Sequence, residues 1–316
     1  MPSREMNKLV ARQPAGALAA NLDQLIEGFL LEQDVSPASK VVYRRALKPF
    51  REFLQLREAS GATGYLTRTD VVQYKSHLLA QGMSPRTGNL YLTAMRQFFR
   101  YLEANRIYPD VAAGLKGFKR SSGFNRDPLT VQQARELLDA IDCSSLVGMR
   151  DYAMINLMLR TGLRTMEVVG SDVGDIRQSP NATLLYVRSK GKDGKDDFVV
   201  LTRETYEPIA RYLAARRCSD PRSPLFISHS KSNAGARLST EALRMDVKKR
   251  LMGIGVYSSR VSAHSLRHTF ATMALQNGAT IEQVRDTLRH QNITTTQIYV
   301  HTGDRIEHAA EKTIKI

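Results

Sequence analysis

The feature that most constrains the fold is a set of apolar stripes at helical spacing in the first third of the chain. The first stripe recurs every three or four residues and consists of Leu22, Leu25, Ile26, Phe29 and Leu30. Such spacing places apolar side chains on one face of an α-helix, which buries that face against neighbouring elements. The pattern therefore predicts a helical unit that begins at about residue 21.

Helix start signals divide this region further. Ser36-Pro37 and Ser84-Pro85 each combine a capping serine with a proline suited to the first turn, and Thr69 is expected to open another helix. The predicted inward residues of the three helices are Leu47, Phe50 and Leu54, then Val71, Tyr74 and Leu78, then Leu90, Ala94, Phe98 and Leu102. Residues 21–113 are therefore predicted to form a four-helix unit.

The regions on either side of this unit lack its periodicity. Residues 1–20 are expected to be an N-terminal extension, and residues 114–127 are interpreted as a basic linker because they are rich in Lys, Arg, Gly and Ser. Thr130 and Gln133 resemble a capping box, which predicts the start of a second domain over residues 128–316.

The second domain is predicted to mix helices with a few strands. A buried helix over Tyr152–Leu159 should end near Gly162, and strands Thr183–Val187 and Phe198–Leu201 should flank a turn at Asp193-Gly194. Further helices are expected near 203–216, 240–252, 264–277, 281–289, 293–300 and 304–313. The expected fold class is therefore mainly α with a small β-sheet (α+β). Two lobes joined by a basic linker could close as a clamp around a DNA duplex.

Charge and cysteine content narrow the function classes. Lys and Arg number 46 against 31 Asp and Glu, which gives a net charge of +15, and the pI is about 9.9. Such a balance favours a nucleic-acid partner, although a soluble basic protein and a protein that binds acidic membranes remain alternatives. Cys143 and Cys218 show no metal-type spacing and no disulfide framework. No apolar run is long enough to span a bilayer, so we expect a cytoplasmic, DNA-associated protein without a membrane partner.

Cleaving a phosphodiester without a metal requires a nucleophile, cations that neutralise the transition state and an acid for the leaving oxygen. Arg164 follows the helix end at Gly162 and shares a helical face with Glu167. It is a candidate phosphate ligand, although an ordinary surface salt bridge is the commoner meaning of this pattern. Lys190 lies in a basic strand-turn-strand segment and is a candidate proton donor, although such a segment is usually a solvated hairpin tip.

Two later segments supply the remaining candidates. His264 and Arg267 lie one helical turn apart and can approach one phosphate; the alternative is a capping His264 with an exposed Arg267. His264 and His268 imitate a zinc-binding pair, but the motif lacks its glutamate and Arg267 would repel a cation. Tyr299 follows His290 after a short interval, and a tyrosine taken alone is more often a packing residue.

Taken in order, these segments resemble one family. Gly162-Leu163-Arg164-x-x-Glu167, Lys190, His264-x-Leu266-Arg267-His268 and His290-x-x-Ile293-x-Thr295-Thr296-x-x-Tyr299 together resemble the tyrosine recombinases of the phage-integrase and Xer type. The resemblance covers nearly the whole chain. It implies a helical core-binding, SAM-like domain over residues 21–113 and a catalytic domain over residues 128–316.

The resemblance implies roles for individual residues. Tyr299 would be the nucleophile that forms a 3′-phosphotyrosyl link, and Arg164 and Arg267 would clamp the scissile phosphate. Lys190 would be the general acid and Glu167 a structural support. His264 would assist proton transfer or phosphate binding, and His290 would hydrogen-bond the phosphate.

The resemblance also implies partners. The family acts as a homo-tetramer on double-stranded DNA with specific sites, exchanges C-terminal segments and needs neither a cofactor nor a metal. Residues 303–316 would be the exchanged helix here, and an accessory DNA-bending protein could assist. The chain departs from the family at Arg289, where glycine usually precedes the histidine. This arginine could contact DNA or a neighbouring subunit, but we expect it to point to solvent.

Several roles remain open at this stage. Integration, excision or resolution of a mobile element is favoured over resolution of chromosome or plasmid dimers by an Xer-type enzyme. The competing classes are a non-catalytic DNA-binding regulator, a type IB topoisomerase-like enzyme, and a metal-dependent phosphoesterase that uses His264, His268 and His290.

Overall fold

The computed structural model describes residues 21–62, 64–119, 126–189, 191, 194–290 and 296. The chain divides into two compact units, residues 1–123 and 124–316. Within the described ranges, helices dominate both units, and strands occur in the second unit only. The predicted fold class, mainly α with a small sheet, is therefore confirmed.

The first unit contains four helices: α1 (Leu22–Glu32), α2 (Pro37–Ala59), α3 (Arg68–Ala80) and α4 (Pro85–Ala104). Both Ser-Pro start signals are confirmed. The side-chain oxygen of Ser36 accepts the backbone N–H of Ser39, and that of Ser84 accepts the N–H of Thr87, each at 3.2 Å. These caps satisfy backbone donors that have no partner within the first helical turn.

Two details of the sequence prediction are wrong in this unit. Helix α3 begins at Arg68, one residue before Thr69, because Thr67 and Asp70 form a capping box in which the Asp70 carboxylate accepts the Thr67 backbone N–H at 2.7 Å. Leu90 is not an inward residue, since 40% of it is exposed. Helix α4 buries Leu92 instead, and two residues correspond to about 200° around a helix.

The core of the first unit is aromatic. Phe29 contacts Phe98 edge to face at 5.7 Å between ring centroids, and Phe50 contacts Tyr74 in the same way at 5.1 Å. All four rings are buried, and each lies on a different helix, so the first pair joins α1 to α4 and the second joins α2 to α3. Edge-to-face aromatic pairs add to the hydrophobic contribution of the buried ring area.

The beginning of the predicted linker packs on the first unit. The Asn89 side chain bonds both backbone groups of Phe118, accepting its N–H at 2.8 Å and donating to its carbonyl at 3.0 Å. The Phe118 ring lies against Gly88, where a Cβ would come within 2.4 Å of it. Lys75 Nζ donates to the Lys116 carbonyl at 2.9 Å. This stretch is therefore held by α3 and α4.

The second unit surrounds one antiparallel sheet. Its helices are α5 (Val131–Asp139), α6 (Leu146–Thr161), α7 (Thr165–Gly170), α8 (Arg203–Ala215), α9 (Thr240–Gly253), α10 (Ala263–Gln276) and α11 (Ile281–Leu288), and its strands are β1 (Ile176–Ser179), β2 (Ala182–Val187) and β3 (Asp197–Leu201). The strand order is β1-β2-β3. Leu185 of β2 pairs with Ile176 on one side and Val199 on the other, so its buried side chain lies at the centre of the inner face.

Most boundaries predicted for this unit are close, and the capping box of Thr130 with Gln133 is confirmed. Helix α6 begins at Leu146, six residues before the predicted start, because Ser145 caps it. Strand β1 was not predicted, since three of its four residues are exposed and give no alternation. The helices expected near 293–300 and 304–313 lie outside the described residues, except for residue 296 in the first of them. Among the residues described, no helix is both long and apolar enough to cross a membrane.

Candidate active site

Arg164 and Glu167 form one unit at the start of α7. Arg164 is the N-cap residue, and the Glu167 carboxylate accepts its backbone N–H at 2.7 Å and its Nη1 at 2.9 Å. Only 1% of the Glu167 side chain is exposed, against 29% of the Arg164 side chain. This pair is therefore not an ordinary surface salt bridge. The buried carboxylate orients a guanidinium that solvent can still reach.

Arg267 joins two chain segments that carry other candidates. It lies on α10, is 2% exposed, and donates from Nη1 to the Gly162 carbonyl at 2.7 Å and from Nη2 to the Leu288 carbonyl at 2.5 Å. Gly162 precedes Arg164 by two residues, and Leu288 precedes His290 by two. The alternative interpretation of Arg267 as an exposed side chain is wrong. Its guanidinium ties the backbone before Arg164 to the backbone before His290.

Glycine is required at position 162 for two reasons. Its φ is 63°, in the left-handed region that ends helix α6 as the sequence predicts. A Cβ there would also lie 2.6 Å from Leu288 Cδ2 and 2.6 Å from Phe270 Cδ1. Because Leu288 and Phe270 pack directly on Gly162, the C-terminal ends of α6 and α11 lie next to each other, where Arg267 bonds both.

His290 is held in the neutral form. Its Nδ1 lies 2.8 Å from the buried hydroxyl of Thr296. Burial is the largest cause that lowers the pKa of His290, to about 4, and the positive charges of Arg267 and Arg164 lower it further. Smaller contributions in the same direction come from His268 and Arg289. In the tautomer in which Nδ1 accepts the Thr296 hydroxyl, the neutral imidazole carries its N–H at Nε2.

His264 and His268 lie in contact on α10. Their ring centroids are 4.8 Å apart in an edge-to-face arrangement, with His264 exposed and His268 buried. Burial lowers the pKa of His268 to about 4, and His264 and Arg267 act in the same direction. Ser262, not His264, occupies the N-cap position of α10. His264 is therefore the member of the pair that solvent, and a ligand, can reach.

Arg289 does not point to solvent, and that expectation is wrong. Its side chain is 8% exposed, and its Nη2 donates to Glu167 Oε2 at 2.8 Å. The left-handed backbone that glycine would favour is nevertheless present, with φ 54° and ψ 47°. Arg289 thus combines the expected tight helix exit with an ion pair that no sequence pattern indicated.

Two candidates, Lys190 and Tyr299, lie outside the described residues. The chain beside the Lys190 segment is anchored, because Lys195 Nζ donates to the Asp172 carboxylate at 2.7 Å and also bonds Asp175. These carboxylates belong to the turn that precedes β1. The connection between β2 and β3 is therefore fixed at its C-terminal side by an interaction that sequence reasoning missed.

The described residues around His290 carry net positive charge. Arg164, Arg267 and Arg289 contribute three positive charges and Glu167 one negative charge, so the difference is 3 − 1 = +2. A cationic pocket of this kind suits a phosphodiester, whose charge increases in the transition state of substitution at phosphorus. Over the described ranges, no group of three or more His, Cys, Asp or Glu side chains is arranged to hold a metal ion.

Comparison with known proteins gives the same family for both units. The profile of the phage integrase family matches residues 128–305, and that of the phage integrase N-terminal SAM-like domain matches residues 22–106. The tyrosine recombinase XerD of Agrobacterium fabrum (strain C58 / ATCC 33970) is 29% identical over 307 residues, which cover 91% of each chain.

Solved structures share the fold. The XerH site-specific recombinase, in a post-cleavage complex with palindromic difH substrate, has a TM-score of 0.72 at 21% identity and covers 92% of this chain and 84% of that chain. A lambda integrase tetramer bound to a Holliday junction has a TM-score of 0.70 at 14% identity and covers 92% and 78%. The family predicted from the order of the motifs is confirmed. This chain belongs to the phage integrase family and is a tyrosine-type site-specific DNA recombinase.

Proposed function

We propose that the recombinase cleaves DNA by attack of the Tyr299 hydroxyl on a phosphodiester phosphorus. The tyrosine O–H bond is replaced by a Tyr299 O–P bond, the 3′-phosphotyrosyl link, as the P–O5′ bond breaks; the tyrosine gives up one proton and the freed 5′ oxygen takes one. A second 5′ hydroxyl then reverses the step and releases the tyrosine. Bonds of one type replace each other, so the broken bond's energy is retained for rejoining.

The observation that carries this proposal is the pair of hydrogen bonds that Arg267 donates to two backbone carbonyls. By binding the Gly162 and Leu288 carbonyls, it brings together the backbone before Arg164 and the backbone before His290. Two arginines and a histidine therefore lie within electrostatic range of one another. In our proposal, Arg164 and Arg267 bind the scissile phosphate, and planar guanidinium forks match its oxygens.

The remaining roles follow from the protonation states. Neutral His290 would donate its Nε2–H to a phosphate oxygen, while Thr296 fixes the ring through Nδ1. Exposed His264 would assist phosphate binding or proton transfer. Lys190 would protonate the leaving 5′ oxygen from the β2–β3 connection, which Lys195 anchors.

We further propose a homo-tetramer that acts on two specific DNA sites, with residues 303–316 exchanged between subunits and a DNA-bending protein as a possible addition. The tetrameric lambda integrase on a Holliday junction supports the assembly by likeness of fold. The cell compartment in this proposal is the cytoplasm.

Two biological roles remain candidates. Integration, excision or resolution of a mobile element is the first. Resolution of chromosome or plasmid dimers is the second, and one observation favours it: the A. fabrum relative that matches 91% of this chain is named XerD. The location of the target sequence, on a mobile element or at one chromosomal site, separates these roles.

The test is covalent trapping on nicked genomic DNA from the source organism. We expect the full chain to form a protein–DNA adduct that survives detergent, and Tyr299→Phe to bind DNA without forming it. Tyr257→Phe is the matched control, because Tyr257 is 70% exposed and has no proposed role. Sequencing the trapped fragments then yields the target site.

The other classes predict different results. A DNA-binding regulator would form no adduct in any variant. A topoisomerase-like enzyme would relax plasmids that lack the recovered target, and a metal-dependent phosphoesterase would lose cleavage on addition of a chelator. The first or the third result would refute the proposed chemistry at Tyr299, and the second would refute site-specific recombination.

A further inference from the structure

Arg289 occupies a backbone position that costs an arginine free energy. It is the C-cap residue of α11 with φ 54°, and its N–H and that of His290 bond the Asp286 and Arg285 carbonyls. L-residues other than glycine and asparagine rarely adopt this left-handed conformation, because Cβ approaches the carbonyl oxygen. The backbone alone therefore gives no reason for an arginine here, and its role is to be sought in the contacts of the side chain.

The side chain makes that interaction inside the protein. Its Nη1 donates to the Thr287 carbonyl at 2.7 Å and its Nη2 to Glu167 Oε2 at 2.8 Å. Its Nε is buried and has no hydrogen-bond partner among the residues that the structure describes. A guanidinium that is desolvated and only partly bonded gives little net stability, so the arrangement is poorly explained as a fold-stabilising ion pair.

The carboxylate that Arg289 binds is the one that sets Arg164. Glu167 Oε2 accepts the Arg164 backbone N–H as well as Arg289 Nη2, and Glu167 Oε1 accepts Arg164 Nη1. This carboxylate is 1% exposed, and its two oxygens are held by three donors. Movement of Arg289 would therefore be transmitted to the Arg164 guanidinium.

We propose that Arg289 is a positioning residue for strand cleavage: it fixes the Glu167 carboxylate and thereby the direction of the Arg164 guanidinium. This inference rests on the proposed function, in which Arg164 binds the scissile phosphate. Arg289 itself need not touch DNA. It links the turn before His290 to the first turn of α7, so the Arg164 guanidinium and the His290 ring keep a constant distance and orientation.

Arg289→Gly is the sharpest variant, because it removes the guanidinium while glycine suits the left-handed backbone. We expect a folded protein whose single-turnover adduct formation, at saturating concentrations of the nicked target duplex recovered by trapping, slows by about 10- to 100-fold. The Kd for that duplex should change by no more than about threefold, because most binding energy comes from contacts elsewhere along the phosphate backbone. Wild-type cleavage by Arg289→Gly would overturn the proposal.

Three further variants separate positioning from loss of charge or of stability. Arg285→Ala removes a positive charge from the same helix end, where Arg285 pairs with the exposed Asp286, and should cleave like the wild type. Arg289→Lys retains the charge and should recover part of the lost rate. If Arg289→Gly does not fold, Arg289→Met takes its place in the test. A folded Arg289→Met protein that cleaves at the wild-type rate would overturn the proposal.

A double-mutant cycle tests the route through Glu167. Glu167→Gln should slow cleavage, and adding Arg289→Gly to it should slow cleavage little further, because both changes release the same guanidinium. If the rate losses of the two single variants multiply in the double variant, the two side chains act independently and the proposal is wrong.

A second readout does not need cleavage. Arg289 is one of the positive charges that lower the pKa of His290, together with Arg267, Arg164 and His268. NMR titration of the His290 ring should therefore give a higher pKa in Arg289→Gly and an unchanged pKa in Arg285→Ala. An unchanged His290 pKa in Arg289→Gly would contradict the geometry. If the wild type formed no adduct at all, the proposed function would fail, whereas this titration would still test Arg289.

Discussion

Replacing Gly162 by alanine should destabilise the second unit strongly, although it adds a single methyl group. The new Cβ would lie 2.6 Å from both Leu288 Cδ2 and Phe270 Cδ1, far inside van der Waals contact. The left-handed φ of 63° adds a second penalty, because alanine in this region costs about 1–2 kcal/mol. Forced overpacking typically costs another ~1–3 kcal/mol.

A combined loss at the middle of these ranges is about 3.5 kcal/mol, which for a unit of this size lowers Tm by roughly 7–14 °C. Thermal unfolding of the full chain, followed by circular dichroism, measures this shift. Gly170→Ala is the matched control: a Cβ at this last residue of α7 would meet nothing within 4 Å. Alanine there should leave Tm unchanged or raise it slightly.

The reasoning would be refuted if Gly162→Ala unfolded at the wild-type temperature, or if Gly170→Ala were destabilised as much. A further consequence separates packing from general damage. Because the Gly162 carbonyl accepts Arg267 Nη1, displacement of this turn should slow cleavage even below the unfolding temperature. A Gly162→Ala protein that is unstable but cleaves normally at low temperature would show that the turn does not set the site.

Three other predictions follow from side chains described above. Burial lowers the pKa of His290 from its ordinary value of 6.5 to about 4 in the folded protein, so the unfolded chain binds more protons between these pH values and stability should fall as the pH drops through them. His290→Gln should therefore reduce the slope of Tm against pH over this range. An identical slope in the variant would contradict the lowered pKa. Lys195→Met should accelerate amide hydrogen exchange in residues 188–196, because it removes the anchor on two carboxylates, and unchanged exchange would show that the anchor is unimportant. Asn89→Ala should increase trypsin cleavage after Lys116, since two backbone hydrogen bonds that hold this segment are lost, and equal cleavage rates in both proteins would disprove the tether.

The sequence predicted those elements whose signals are local. Ser36, Ser84 and Thr130 cap helices as expected, because a capping side chain bonds a backbone N–H only three residues away. Gly162 ends α6 for a similarly local reason. The start of α6 was missed because Leu146, at its first turn, is 39% exposed and contributes nothing to an apolar stripe.

The sequence predicted which residues belong to the site but not the hydrogen bonds that join them. Arg164, Arg267 and His290 stand in recognisable motifs, whereas Arg267 binds backbone carbonyls, and carbonyl groups carry no sequence signature. Arg289 was expected to point to solvent, because its neighbours in the sequence offer it no partner inside the protein. Its inward orientation depends on Glu167, which lies 122 positions away in the chain and gives no local signal.

The carbonyl bonds of Arg267 have an evolutionary consequence. One buried guanidinium closes the scaffold and, under the proposed mechanism, also meets the substrate. A lineage that abandons catalysis would still lose fitness through misfolding if it changed this residue. Arginine at position 267 should thus persist in descendants that have lost Tyr299, and its presence alone is poor evidence that such a descendant is an active enzyme.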